Sequence, residues 1–179
     1  MIKNITQFLG ACCLIEVDHY YDNRGLFSKF YSEEEFHRHG INMDVKEQFY
    51  TTSKKNVIRG MHFQSPPYHH DKLVTCVSGS VIDVVLDLRK SSASYGKFES
   101  FKLDSESKSI IYIPKGFAHG FLSNEENTCM LYAVSSIHSP DHDQGILWNS
   151  FGFDWQCKDP IISERDKNHV LFEDFSTVF

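Results

Sequence analysis

The feature that most restricts the fold of this chain is a side-chain alternation of period two. In SVIDVVLDL (80–88), Ile82, Val84, Leu86 and Leu88 alternate with Val81, Asp83, Val85 and Asp87. Successive side chains point to opposite faces only in an extended chain, so this is a strand with one face firmly buried and the other mixed. KLVTCV (72–77), FESFKL (98–103), SIIYIP (109–114) and TCMLYAVS (128–135) read the same way, and FLGACCLIEV (8–17) is a further candidate. VSGS and DSES supply turn chemistry between the runs. Fifteen Phe and eight Tyr suit the pleated surface. Helical signals are few. SEEEFHRHG (32–40) carries a Ser32–Glu35 capping box and a terminal Gly40, which predicts one short helix. PIISERDKNHVLF (160–172) predicts a turn or a second short helix. Many short strands joined by turns define an all-β chain, a sandwich or a barrel.

A chain of 179 residues without a linker or repeat is expected to form one domain, 1–179. At this size roughly 70% of the extended-chain surface is buried, enough for a core without disulfide or metal staples. The net charge of −6 argues against a nucleic-acid partner, yet leaves room for a small phosphate pocket built from a few Arg and Lys. The five cysteines form neither a CxxC nor an even framework. Cys76 and Cys129 lie inside apolar runs and are expected to be buried thiols, which points to the cytoplasm. MIKNITQFLG lacks the apolar segment of a secretory leader, and no window reaches the roughly 18 apolar residues of a membrane span.

Chemistry concentrates in RGMHFQSPPYHHDKLV (59–74). A cupin-type metal site wants an HxH pair, but His62 is followed by Gln64, and His69 and His70 are adjacent, so on a strand they would face opposite ways. No HExxH or Cys/His set is present either, so no metal is expected. An imidazole titrates near neutrality, so the residue type at His62 suits general-base work. The residues alone leave that reading level with a plainer one, a histidine satisfying a core hydrogen bond. PKGFAHGF (114–121) places two glycines and a proline around His119; this allows a tight backbone beside a ligand, or simply a strand-to-strand turn. Arg59 and His119 both suit a phosphate, but nothing local to the sequence puts them together.

Taken together, DNRGLFSKF (22–30), the segment 53–98, IPKGFAHGFL (113–122), GILWN (145–149) and IISERD (161–166) resemble the dTDP-4-dehydrorhamnose 3,5-epimerase family, in that family's order and over nearly the whole chain. The resemblance implies a jelly-roll β-sandwich of cupin type, a homodimer without metal or other cofactor, and a nucleoside-diphosphate-sugar substrate. The implied reaction inverts carbons flanking the 4-keto group of a 6-deoxyhexose, with surface polysaccharide as its natural destination. By motif position, His62 is implied as the base and Asp166 as its carboxylate partner. Tyr132 is implied as the acid on the opposite face, and Lys72 as the cation beside the enolate oxygen. Arg59, Arg24 and His119 are implied as pyrophosphate and sugar ligands, Arg24 reaching a neighbouring subunit. A ketoisomerase of the same fold and a non-catalytic binding module are the alternatives.

The chain departs from the family pattern at five places. Lys29 stands where a glutamate reads the base, and Glu47 where a glutamine does. Lys29 only donates and ionised Glu47 only accepts, the reverse of what thymine needs. Cytosine offers an acceptor at N3 and a donor at N4, so the pair predicts a CDP-sugar, unless the two side chains simply form a surface salt bridge. Phe49, His70 and His138 replace polar or tyrosine residues of the sugar pocket, which leaves inversion of C5 alone as an outcome alongside inversion of both carbons.

Overall fold

The computed structural model describes residues 2–179. Its strands are β1 (Ile2–Phe8), β2 (Cys12–Val17), β3 (His19–Asp22), β4 (Gly25–Ser28), β5 (Glu47–Ser53), β6 (Ile58–Gln64), β7 (Lys72–Ser78), β8 (Ser80–Asp87), β9 (Phe98–Asp104), β10 (Ile110–Ile113), β11 (Phe117–Ser123), β12 (Thr128–Val134) and β13 (Asp143–Gly145). Two short helices, α1 (Glu33–Arg38) and α2 (Glu164–Lys167), complete the regular structure with a 3₁₀ turn at Phe172–Asp174. One sheet runs β1-β2-β10-β7-β12-β5 and the other β13-β6-β11-β8-β9, while β3 and β4 form a separate hairpin. All named strand pairs are antiparallel. This is the expected all-β jelly-roll sandwich with short helices near either end. Among the described residues, no helix is long and apolar enough to cross a membrane.

From β5 to β8 the chain changes sheet at each strand, and it does so again from β9 to β12. That path makes β6 the neighbour of β11 in one sheet and β7 the neighbour of β12 in the other. Motifs far apart in sequence thereby line one interior. Val74, Cys76, Val81, Val85, Phe121, Met130 and Tyr132 form the core between the sheets. The outer face of the five-stranded sheet buries Met61, Val84, Leu86 and Leu122 under the C-terminal segment, with Phe151 and Trp155. The outer face of the six-stranded sheet buries Ile15, Leu73 and Ile110 under α1, whose Phe36 is fully buried.

Several expectations need correction. On β8 the mixed face is buried too: Val81, Asp83 and Val85 look inward toward the other sheet, with Asp83 paired to His119, while Val84, Leu86 and Leu88 lie under the C-terminal segment. The stretch 8–17 is not one strand, since Leu9 and Gly10 adopt left-handed backbone (φ 50° and 69°) and turn β1 into β2. Ser32 occupies the N-cap of α1 without a side-chain cap, and Glu35 instead accepts from the amide of Ile2 at 3.2 Å. Cys76 is buried, but Cys129 is only half-buried because it faces away from the interior of β12.

Candidate active site

The glycines of RGMH and AHGF have a structural cause. His62 and His119 are register partners on β6 and β11. A Cβ on Gly60 would sit 2.5 Å from the Gly120 Cα, and one on Gly120 would sit 2.8 Å from the Arg59 carbonyl oxygen. Gly60 also has φ of +144°, which side chains rarely adopt. The two glycines let the strands touch and set the histidines side by side. Their tight backbone serves this strand contact.

Period two does the rest. On β7, Lys72 shares the inward face of Val74 and Cys76; on β12, Tyr132 shares that of Met130. A cavity of about 260 Å³ is lined by His62, Gln64, Lys72, His119, Tyr132 and Arg59, with Glu47, Phe49, His70, His138, Asp143 and Arg165 among its remaining walls. Nearly all the residues singled out in the sequence therefore meet there. Asp166 lies behind His62. Arg24 and Lys29 lie elsewhere: Arg24 is paired with Asp22 on the exposed β3–β4 hairpin, and Lys29 borders a separate depression with Phe30 and Thr75.

His62 Nε2 is 2.8 Å from Asp166 Oδ1, and Asp166 Oδ2 accepts the Gly60 amide at 3.2 Å. The Asp166 amide donates to Ser163 Oγ at 3.1 Å, an N-cap that fixes α2 and the carboxylate it carries. Burial pushes the Asp166 carboxyl up, but the nearby His169 imidazole and the hydrogen bonds from His62 and the Gly60 amide outweigh it and hold the group well below the usual carboxylate range. Burial lowers the His62 imidazole, partly offset by Asp166. A carboxylate at Nε2 requires the proton there and leaves the Nδ1 lone pair as the base.

Lys72 Nζ donates to the His62 carbonyl oxygen at 3.2 Å. Burial brings its pKa down to about 8, against the opposing pull of Asp143 and Asp83. Tyr132 is buried, stacks on Phe49 (centroids 4.7 Å apart, planes 13°) and meets His119 edge-on at 6.1 Å. Burial and the nearby Asp83 hold its phenol proton on well above the ordinary tyrosine range. His119 is anchored by Asp83 at 2.8 Å, both within the core.

The rim is a polar network. Asp143 pairs with Arg165 at 2.8 Å and with His138 at 3.2 Å, and Glu47 accepts the His138 amide at 3.1 Å. Gln64 binds the Ser139 amide at 2.7 Å and lies 3.0 Å from His70 Nδ1. Burial drives His70 down to about 3, so it lines the wall as a neutral ring. Sequence reasoning missed Asp83, Asp143, Arg165 and His169. An aspartate inside an apolar strand was the available signal for the first; nothing local marked the others. Among the described residues, His62, Asp166 and His169 form one group whose nitrogen and oxygen atoms lie within 4.8 Å of one another. The 2.8 Å His62–Asp166 contact is a hydrogen bond, shorter than the ~3.3 Å between neighbouring tetrahedral ligands at Zn–N distances.

A cupin-like sandwich whose cavity holds a carboxylate-backed imidazole, a buried ammonium and a protonated phenol defines a class of proton-transfer enzymes. Residues 6–174 match the sequence profile described as dTDP-4-dehydrorhamnose 3,5-epimerase. The dTDP-4-dehydrorhamnose 3,5-epimerase of Shigella flexneri is 36% identical over 156 residues, covering 86% of each chain. The Bacillus anthracis enzyme, solved with TDP and pyrophosphate, superposes with a TM-score of 0.93 at 31% identity, covering 96% of this chain and 100% of that one. The Legionella pneumophila epimerase, in complex with dTDP-4-keto-L-rhamnose, gives a TM-score of 0.91 at 29% identity, covering 97% and 94%. The chain belongs to the dTDP-4-dehydrorhamnose 3,5-epimerase family.

Proposed function

We propose that the chain is a carbohydrate epimerase that inverts C5, C3 or both in a nucleoside-diphosphate 4-keto-6-deoxyhexose. The observation that carries this reading is that His62, backed by Asp166, opens into the same cavity as Lys72 and Tyr132. His62 Nδ1 removes the proton next to the ketone. The electron pair moves onto the carbonyl oxygen, where the Lys72 ammonium meets the developing charge; one such donor is worth roughly 3–4 kcal/mol in a water-poor site. Tyr132 then delivers its phenol proton to the same carbon from the other face. Proton transfer by each group contributes about 10²–10⁴-fold. Arg59 and His119 serve as substrate ligands. Asp166 keeps the proton on Nε2 and supports the charge His62 acquires.

Arg24 and Lys29 enter the reading through a second copy, a homodimer in which the β3–β4 hairpin reaches the partner's cavity. Tyr20, Tyr21 and Phe27 on that hairpin are exposed in the single chain, which suits such a contact. The cytoplasm is the expected compartment, in keeping with five unpaired thiols. For the base, Glu47 on the cavity wall presents only acceptors, which favours the N4 amino group of cytosine and hence a CDP-sugar.

Solvent exchange tests the chemistry. In D₂O, a nucleotide 4-keto-6-deoxyhexose incubated with the protein takes up deuterium at C3, C5 or both, and the His62→Ala variant gives none. A binding module gives no uptake with the native chain. Comparing binding of CDP, dTDP, UDP and GDP tests the base; preference for dTDP overturns the assignment to cytosine and leaves the proton chemistry standing.

A further inference from the structure

His169 follows α2 and is the one imidazole beside the His62–Asp166 pair that the mechanism above does not use. Its Nε2 lies 3.5 Å from Asp166 Oδ1, the same oxygen that His62 Nε2 approaches at 2.8 Å. The His62 and His169 rings meet edge to face, with centroids 5.6 Å apart and planes at 77°. The His169 side chain is 11% exposed, and its Nε2 is a buried atom without a hydrogen bond in the structure, with the Asp166 carboxylate as the acceptor it faces at 3.5 Å.

The surrounding backbone is shaped to keep the ring there. Gly145 on β13 is the register partner of His62 on β6. A Cβ at position 145 would stand 2.4 Å from His169 Nε2 and 2.5 Å from its Cδ2, so the ring fills the space that a side chain at 145 would take. Two residues further, the Leu147 amide donates to the Val170 carbonyl at 2.8 Å, and Ile146 pairs with Val170 in a parallel bridge. Residue 169 is thereby clamped against the strand that runs beside the base.

We infer that His169 is a positioning residue: it presents an N–H to Asp166 Oδ1, holds the carboxylate in place, and limits how much of its charge is left to support His62. This inference rests on the reading of His62 as the base. The physical reason is competition for one oxygen. A carboxylate that accepts from two imidazoles shares its negative charge between them, so each hydrogen bond to it is weaker than one made alone. Removing the second donor makes His62 a stronger base. The other charged or titratable groups facing the pair are Lys72 from β7, which lies at the His62 carbonyl; Arg165 on α2; Asp143 on β13, paired with Arg165; and His119 on β11. None of them contacts Asp166 Oδ1, so substituting position 169 leaves their arrangement in place.

Three variants separate the donor from the space it fills. His169→Ala removes both. His169→Phe keeps the volume and removes the N–H. His169→Gln restores an N–H near the position of Nε2. The direct readout is the titration of the His62 ring by NMR of ¹⁵N-histidine-labelled protein without substrate. His62 is expected to titrate at higher pH in the Ala and Phe variants and to return toward the native position in the Gln variant. In the exchange assay, the more basic His62 is protonated over a wider acid range. The kcat/KM of the Phe variant on the acid side of the profile should therefore fall roughly two- to fivefold, with less change on the plateau. If the Ala variant fails to fold, the Phe and Gln pair carries the comparison. An unchanged or lowered His62 titration in His169→Phe, or a Gln variant indistinguishable from Phe, overturns the inference. Absence of exchange in the native protein overturns the epimerase reading instead, and the NMR titration still decides the role of His169.

Discussion

Replacing Asp166 by asparagine tests the dyad with almost no change in shape. The residue is 3% exposed, and both carboxylate oxygens accept: Oδ1 from His62, Oδ2 from the Gly60 amide. Asparagine has one acceptor and one donor: with its oxygen toward His62 its N–H faces the Gly60 N–H, and with its amide toward His62 the imidazole must move its proton to Nδ1, which removes the lone pair of the base. That mismatch costs about 1–3 kcal/mol of stability. The catalytic loss comes from the charge. With the 2.8 Å contact placing charge centres about 4 Å apart, the attraction between carboxylate and imidazolium is about 4 kcal/mol at an effective dielectric constant near 20. Neutral imidazole also gains from the carboxylate, so the difference felt by the proton-transfer step is nearer 3 kcal/mol, or about 10²-fold. The expected result is a fall in kcat for deuterium uptake of about 10²–10³-fold with KM nearly unchanged, because Asp166 lies behind His62 and outside the cavity wall. Stability adds a second signature. The folded-state pKa of Asp166 is depressed, so its contribution is complete above the unfolded carboxyl value near 4 and is lost as pH falls toward the folded value. Native and Asp166→Asn unfolding curves should differ at neutral pH and converge in acid. Exchange by Asp166→Asn within fivefold of the native rate would refute the assignment of the dyad.

Two further outcomes follow from the same geometry. Lys72 is cationic only below its lowered pKa of about 8, so kcat/KM should decline as pH rises through that value; Lys72→Met should lose about 10²–10³-fold and show no such limb. Gly60→Ala places a methyl 2.5 Å from the Gly120 Cα at a φ of +144°, so β6 and β11 must separate. A loss of about 2 kcal/mol or more in denaturant unfolding is expected, together with reduced exchange because His62 moves with its strand.

The sequence shows the parts of this fold that alternate and hides the parts that do not. β7, β9, β10 and β12 were legible from period two because each turns a continuous apolar set toward the core. β11 carries no such signal: all seven residues of FAHGFLS are buried, since the C-terminal segment covers the face that a sandwich usually leaves to water. β6 was obscured in a different way, by a glycine and by three polar residues, Arg59, His62 and Gln64, that line the cavity. Chemistry was legible in type but not in pairing. His62 was visible as a candidate base, yet Asp166 is 104 residues away, and only the family resemblance linked them. His169 and Asp143 were invisible because their roles depend on β13, a three-residue strand too short to leave a pattern.

The architecture also explains how an inverting enzyme can alter its substrate without losing its reaction. His62 and His119 project from β6 and β11 of one sheet, and Lys72 and Tyr132 from β7 and β12 of the other. On the reading proposed above, a sugar ring held between the two sheets turns one face toward each, so a base at His62 and an acid at Tyr132 would act on opposite faces. Phe49, His70 and His138, where the chain departs from the family pattern, lie instead on the edge strand β5 and on the connections after β6 and β12. These positions border the cavity but carry no inter-sheet packing comparable to that of Val74, Phe121 or Met130. Substitutions there reshape the pocket around the sugar and base at little cost to the sandwich. Changes on β6, β7, β11 or β12 disturb the core and the proton relay together. Selectivity for the nucleotide and for the number of inverted carbons is therefore expected to map to β5 and the rim loops. Exchanging Glu47, Phe49, His70 and His138 for the family residues should change which nucleotide and which carbon are used while deuterium uptake persists; loss of all uptake in that variant would show that rim and relay are not separable.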